Sequence, residues 1–157
     1  MSSPSFQLVG LPTHPFQHLF GLDDDALRAR GAVRRVAGQV GLPCRISLQD
    51  ASPGDELLLL PYAHHDVESP YRASGPIFVR RDAVTAQLPP GEVPGYVTRR
   101  QISVRAYDAA SMMIDAIVCD GTATREHIER MFGDPQVSYI QLHNAMRGCF
   151  SCNVVRV

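Results

Sequence analysis

The sequence contains no lysine: all fifteen of its basic residues are arginine. That absence excludes a lysine Schiff base, a lysine general base and a Walker-type phosphate-binding lysine. Any anion must therefore be held by arginine forks, backbone amides or a metal, and the guanidinium has the planar geometry that suits carboxylates and phosphates. Also missing is any apolar window near the roughly 18 residues of a membrane span. The opening Met1-Ser2-Ser3-Pro4-Ser5-Phe6 has neither the basic start nor the long apolar run of a signal peptide. Four cysteines in 157 residues do not make a disulfide scaffold, so a cytoplasmic protein with no membrane partner is expected. No repeat, charge run or Ser/Gly linker divides the chain, and a formal charge of −1 provides no overall attraction to nucleic acid.

What remains is an ordinary globular composition in a chain long enough to bury roughly two-thirds of its unfolded surface without a metal. One domain is expected over residues 1–157, with a flexible terminus over 1–5. Asp23, Asp24 and Asp25 supply a cap and first-turn charges for a short helix carrying Leu27, ended by Gly31. Cys44 to Gln49 alternates, with Cys44, Ile46 and Leu48 on one face and Arg45, Ser47 and Gln49 on the other. A turn over 50–55 leads to the apolar strand 56–61, which predicts a hairpin. Residues 62–75 read as a polar loop, with His64 and His65 an exposed pair, and 76–80 as the next strand. The interval 82–97 reads as a long surface connection. Gln101 to Ala106 alternates with Ile102, Val104 and Ala106 inward, and 112–119 continues the sheet. Thr122 caps a helix whose Ile128, Met131 and Phe132 share one side. Strands over 137–143 and 153–157 complete the chain. The expected fold is α+β: an antiparallel or mixed β-sheet with two or three short helices, a partly closed barrel being the alternative.

Chemistry concentrates in His143-Asn144-Ala145-Met146-Arg147-Gly148-Cys149-Phe150-Ser151-Cys152. His143 ends a strand and Arg147, Gly148 and Cys149 occupy the bend beyond it, a placement that suits a pocket. The imidazole has a near-neutral pKa fit for proton transfer, and a cysteine beside an imidazole and a guanidinium can be activated as a nucleophile. A buried, paired histidine and an inert core cysteine explain the same residues. Cys149 and Cys152 have the spacing of a redox or zinc half-site, but the following Val154, Val155 and Val157 favour strand, which puts the two thiols on opposite faces. His14 and His18 would have to supply the rest of a Cys2His2 zinc site.

The stretch Ser69-Pro70-Tyr71-Arg72-Ala73-Ser74-Gly75-Pro76 supplies a second set of groups: Tyr71 for aromatic contact, Arg72 and Ser74 for hydrogen bonds. Arg72 and Arg147 can clamp a carboxylate or phosphate, with Asn144 and the backbone near Gly148 completing the site. Asp115 interrupts an apolar strand and is a secondary acid/base candidate. The pairs Arg34-Arg35, Arg80-Arg81 and Arg99-Arg100, with Tyr96 or Tyr107, are the basis of an alternative reading as a nucleic-acid or protein interaction module.

Three blocks, Leu42 to Asp50 with Pro53-Gly54-Asp55-Glu56, Ser69 to Val79, and His143 to Cys149, together resemble a bacterial family of unknown function, DUF1203, over roughly residues 6–157. The resemblance implies a small cytoplasmic bacterial protein and brings no catalytic assignment, substrate or cofactor. The leading expectation is a site for a small anionic or polar ligand, recognised by Arg72, Ser74, Tyr71, Asn144, Arg147 and Gly148. If a reaction occurs, His143 transfers the proton and Cys149 is the nucleophile or a polarising neighbour. Arg72, His143, Arg147 and Cys149 are expected to line one accessible pocket.

Overall fold

Two alternating strands set the architecture. In β7 (Gln101–Tyr107) Ile102, Val104 and Ala106 face one way, and in β9 (Tyr139–Asn144) Ile140 and Leu142 face the same way, all fully buried. The helix α3 (Thr124–Phe132) covers that face with Ile128, Met131 and Phe132, spaced i, i+3, i+4 along one stripe. Burial of each such side chain stabilises the fold by about 1.5–3 kcal/mol. The computed structural model describes residues 5–157; the expected flexible terminus lies almost wholly outside them.

The remaining elements are β1 (Phe6–Val9), a 3₁₀ turn Gln17–Gly21, α1 (Asp24–Ala29), β2 (Val33–Val36), β3 (Pro43–Cys44), β4 (Gln49–Asp50), β5 (Glu56–His65), β6 (Ala73–Arg80), α2 (Gly95–Thr98), β8 (Met113–Asp120), a 3₁₀ turn Gly121–Ala123 and β10 (Phe150–Arg156). They form two five-stranded sheets, ordered β1-β10-β9-β7-β8 and β2-β5-β6-β3-β4. Every pairing is antiparallel except β3 with β6. The fold is α+β with mixed sheets and short helices, and neither sheet closes into a barrel.

Several local expectations hold. Asp23 caps α1 by accepting from the Ala26 amide, and Gly31 takes the left-handed conformation that ends the segment. Others need correction. The segment Cys44 to Gln49 is not a continuous strand: Leu48 donates back to the Cys44 carbonyl and adopts φ 52°, so only the two ends pair. The strand after it pairs with β2 and β6, not in the expected hairpin. Half of the supposed loop over 62–75 is strand, because β5 runs on to His65 and β6 begins at Ala73. Thr122 does not cap α3: the helix follows Ala123 without a side-chain cap, and Asp120 caps the preceding 3₁₀ turn by accepting from the Thr122 amide.

That turn presses against the end of α2, where a Cβ on Gly121 would collide with the carbonyls of Val97, Thr98 and Arg100. Gly121→Ala is expected to lower stability by about 2–3 kcal/mol. Equilibrium urea unfolding checks this, and an unchanged midpoint would mean that α2 and the turn are not tightly apposed.

Candidate functional site on the polar face of the sheet

The opposite faces of the same strands carry the chemistry. Alternation turns Ser103, Arg105 and Tyr107 of β7 and Tyr139, Gln141 and His143 of β9 to one side, and register pairs them as Ser103↔His143, Arg105↔Gln141 and Tyr107↔Tyr139. On the edge strand β8 the partners are Ala116 beside Arg105 and Val118 beside Ser103. Ile114 and Val118 remain exposed there, so the face is open on that side.

Its other side is roofed by the β5–β6 hairpin. The β5–β6 register shifts between Tyr62 and His65, and this bulge lets the adjacent residues His64 and His65 both turn onto β9 instead of diverging. His64 stacks on Phe150 with centroids 5.4 Å apart and meets His143 edge-on at 5.0 Å. His65 lies 2.6 Å from the Tyr139 hydroxyl through Nε2, and its Nδ1 donates to the Tyr71 carbonyl at 2.8 Å. The expected exposed histidine pair is thus one buried and one half-buried ring inside a second layer.

Gln141 organises the imidazoles. Its amide nitrogen donates to the His64 carbonyl at 2.7 Å and to Asn153 Oδ1 at 3.1 Å. A backbone carbonyl only accepts, so the orientation of the amide is set, and Oε1 faces His64 Nδ1 at 3.3 Å and His143 Nε2 at 3.2 Å. His143 Nδ1 also faces an acceptor, the Gly148 carbonyl at 3.3 Å. Burial, reinforced by Arg105, drives the His143 pKa down to about 3, and burial likewise lowers that of His64. His143 is therefore neutral, and as a neutral ring it carries a single N–H that donates to one of these two acceptors and not to both.

Arg105 is the odd member. It is half-buried, its Nε donates to Ser103 Oγ at 3.0 Å, and among the described residues no carboxylate pairs with it. Elsewhere four of the six arginines named as an interaction track pair with carboxylates, Arg34 and Arg81 sharing Glu56 and Arg99 and Arg100 sharing Asp50, while Arg35 and Arg80 donate to backbone carbonyls. Burial pushes the Glu56 carboxyl up, but hydrogen bonds from Arg34 and Arg81 outweigh it and hold the group ionised. Tyr96 and Tyr107 are buried, so neither offers a free stacking face. Asp115, the secondary acid/base candidate, turns to α3 and pairs with Arg130 at 3.1 Å.

The structure separates the expected ligand clamp. Arg72 pairs with Asp66 at 3.1 Å and is exposed, beside Tyr71 and exposed Ser74, beyond the Tyr139 end of β9. Arg147 and Gly148 sit exposed on the turn beyond the Asn144 end. Five residue steps along the strand between those ends span about 17 Å, so the two guanidiniums do not share a ligand.

His143 and Cys149 are not brought together either. Both imidazole nitrogens have other partners, whereas Cys149 Sγ receives Arg45 Nη2 at 3.1 Å and the Asn144 amide at 3.8 Å. Asn144 is buried and its Oδ1 lacks a partner. Arg45, expected to face outward, is instead 1% exposed and also donates to the carbonyls of Phe150 and Pro43. Cys152 lies in the apolar core, where burial pushes its thiol up to about 12. With His14 and His18 exposed, the zinc assembly does not form, and among the described residues no three His, Cys, Asp or Glu side chains are placed to hold a metal.

The family of this geometry is decided by a match over residues 41–156 to the proteins of unknown function DUF1203. The chain belongs to the DUF1203 family. The matched stretch is narrower than the 6–157 of the resemblance, yet it holds every residue of the polar face from His64 to Asn153. Neither a curated protein nor a solved structure matches the chain. Two clefts of the DUF1203 protein lie away from this face. One, of 380 Å³, is bordered by Phe16, Phe20, Arg80 and Arg81, and the other, of 560 Å³, by Asp108, Pro135 and Arg156. Arg81 is paired with Glu56, half-buried Arg80 donates to the Arg81 carbonyl, and Arg156 donates to three backbone carbonyls and lies over the Phe132 ring.

Alternation alone marks Ser103-x-Arg105-x-Tyr107 and Tyr139-x-Gln141-x-His143 as polar phases. The usable signal was that both are dense in aromatic, imidazole and guanidinium groups rather than in small solvating ones. Arg105 and Gln141 are legible in that way, whereas the convergence of His64 and His65 depends on a bulge.

Proposed function

We propose that this protein binds a small molecule bearing an oxyanion, a carboxylate or phosphate, on the face formed by Arg105, Ser103, Gln141 and His64. The observation that carries the reading is Arg105 itself: a half-buried guanidinium without a carboxylate partner among the described residues. Such a charge is costly to desolvate unless compensated, and an incoming anion compensates it with charge-assisted hydrogen bonds to the guanidinium N–H groups that Ser103 and the Tyr107 hydroxyl leave free. The exposed Ile114, Ala116 and Val118 beside it would receive the apolar part of the ligand. Arg147 stands at the border of this face, on the turn whose Gly148 carbonyl touches His143, and is a second cation for a larger ligand.

Titration of the purified protein with inorganic phosphate and with benzoate, followed by calorimetry, tests the reading. Arg105→Met is expected to weaken binding by about 30–100-fold, the loss of hydrogen bonds to a charged group. Arg72→Met is expected to bind as the wild type does. Equal affinity in the Arg105 variant, or an equal loss in both, would contradict the assignment.

A further inference from the structure

We infer that His64 makes this site selective for an oxyanion that still carries a hydrogen, such as a hydrogen phosphate or a phosphomonoester monoanion, over a fully ionised one such as sulfate. The inference rests on the reading of Arg105 above and deepens it.

The selectivity follows from one hydrogen-bond constraint. Because the Gln141 nitrogen is committed to the His64 carbonyl, its Oε1 must face the imidazoles. The Nδ1 of His64 therefore carries the hydrogen that Oε1 accepts, and in the neutral ring Nε2 is left as a bare lone pair. Among the described residues no protein group hydrogen-bonds Nε2, and the atom is not sealed from solvent. The ring is held in place by its stack on Phe150 and its edge contact with His143.

An ion drawn in by Arg105 thus meets a donor on one side and an acceptor on the other. A hydrogen-bearing oxyanion satisfies both, its P–O–H donating to Nε2. Sulfate has only acceptors at neutral pH, and it enters only if His64 first takes up a proton at Nε2.

The surroundings oppose that protonation. The groups acting on the ring are Arg105 from β7, His143 and Gln141 from β9, and His65 from its own strand, and no carboxylate is among them. Phe150 and Asn153 of β10 bring no charge. Burial is the first cause that holds the ring neutral, with Arg105 and His65 adding to it. A site that must leave a buried polar group unpaired to admit the wrong ligand discriminates strongly.

Calorimetric affinities for inorganic phosphate and for sulfate between pH 5 and 8 test this, with His64→Phe and Arg105→Met alongside the wild type. The wild type is expected to prefer phosphate at least about tenfold at pH 7. Sulfate should gain about tenfold in affinity per unit fall in pH over the range where His64 is neutral, the mark of one proton taken up. His64→Phe should abolish both the preference and the pH dependence while still binding through Arg105. Equal, pH-independent binding of the two anions by the wild type would overturn the inference and leave the anion site standing. Failure of either anion to bind at all would overturn the reading on which it depends.

Discussion

Arg45→Met is expected to lower the stability of the folded chain by about 3–5 kcal/mol, the range for breaking a buried charged network. The guanidinium is 1% exposed and donates to the Phe150 carbonyl at 2.7 Å, the Pro43 carbonyl at 2.6 Å and Cys149 Sγ at 3.1 Å. It thereby ties the turn beside β3 in one sheet to the start of β10 in the other. Methionine fills much of the volume but donates nothing. The buried Phe150 carbonyl and the half-buried Pro43 carbonyl would each lose this donor, at about 1–3 kcal/mol where the carbonyl is left unsatisfied, and Cys149 Sγ would keep only the Asn144 amide. Lysine, a single ammonium without the fork, is expected to restore only part of the loss. Urea denaturation with an unchanged slope and a lowered midpoint is the expected result. A loss below about 1 kcal/mol for the methionine variant would show that the two sheets do not depend on this contact.

Acid is expected to weaken the protein well before its carboxylates titrate, and His143 is the main reason. In the unfolded chain this imidazole takes up a proton near pH 6.5, while in the folded chain burial holds it neutral down to about pH 3. The unfolded state therefore binds more protons across that window, and stability falls as pH falls through it. The slope is about 1.4 kcal/mol per pH unit for one such group, which amounts to nearly 3 kcal/mol lost between pH 7.5 and 4.5. His64, lowered in the same direction chiefly by its own burial, adds to the trend. His143→Asn should flatten the pH dependence whatever it does to stability at pH 7.5, because an amide does not titrate. Urea midpoints measured at half-unit pH steps give the slopes. A variant with the wild-type slope would assign the acid sensitivity to other groups.

The parts of the fold that depend on local rules were open to reading from residues alone. The Asp23 cap, the Ile128-Met131-Phe132 stripe of α3 and the inward phase of β7 all follow from spacing. The surroundings of Arg45 and of Arg105 were hidden for one shared reason: alternation assigns a side chain to a face, but what covers that face is settled by pairings remote in sequence. Arg45 meets Phe150, 105 residues away, and the roof over Arg105 comes from β5, whose bulge no turn residue announces. The ten-residue tail from His143 to Cys152 is crowded with reactive side chains, but its members divide. His143 joins the polar face, Cys149 joins Arg45, and Cys152 packs in the core.

The central claim is that Arg105 is the anion receptor. It is tested most directly by nuclear magnetic resonance of the arginine Nε–H and histidine ring signals while inorganic phosphate is added. The Arg105 Nε–H and the His64 ring should shift together and saturate with one dissociation constant, with Arg72 and Arg80 unmoved. Saturable shifts confined to Arg80, Arg81 and the Phe16–Phe20 cleft, or to Arg72, with Arg105 still, would contradict it.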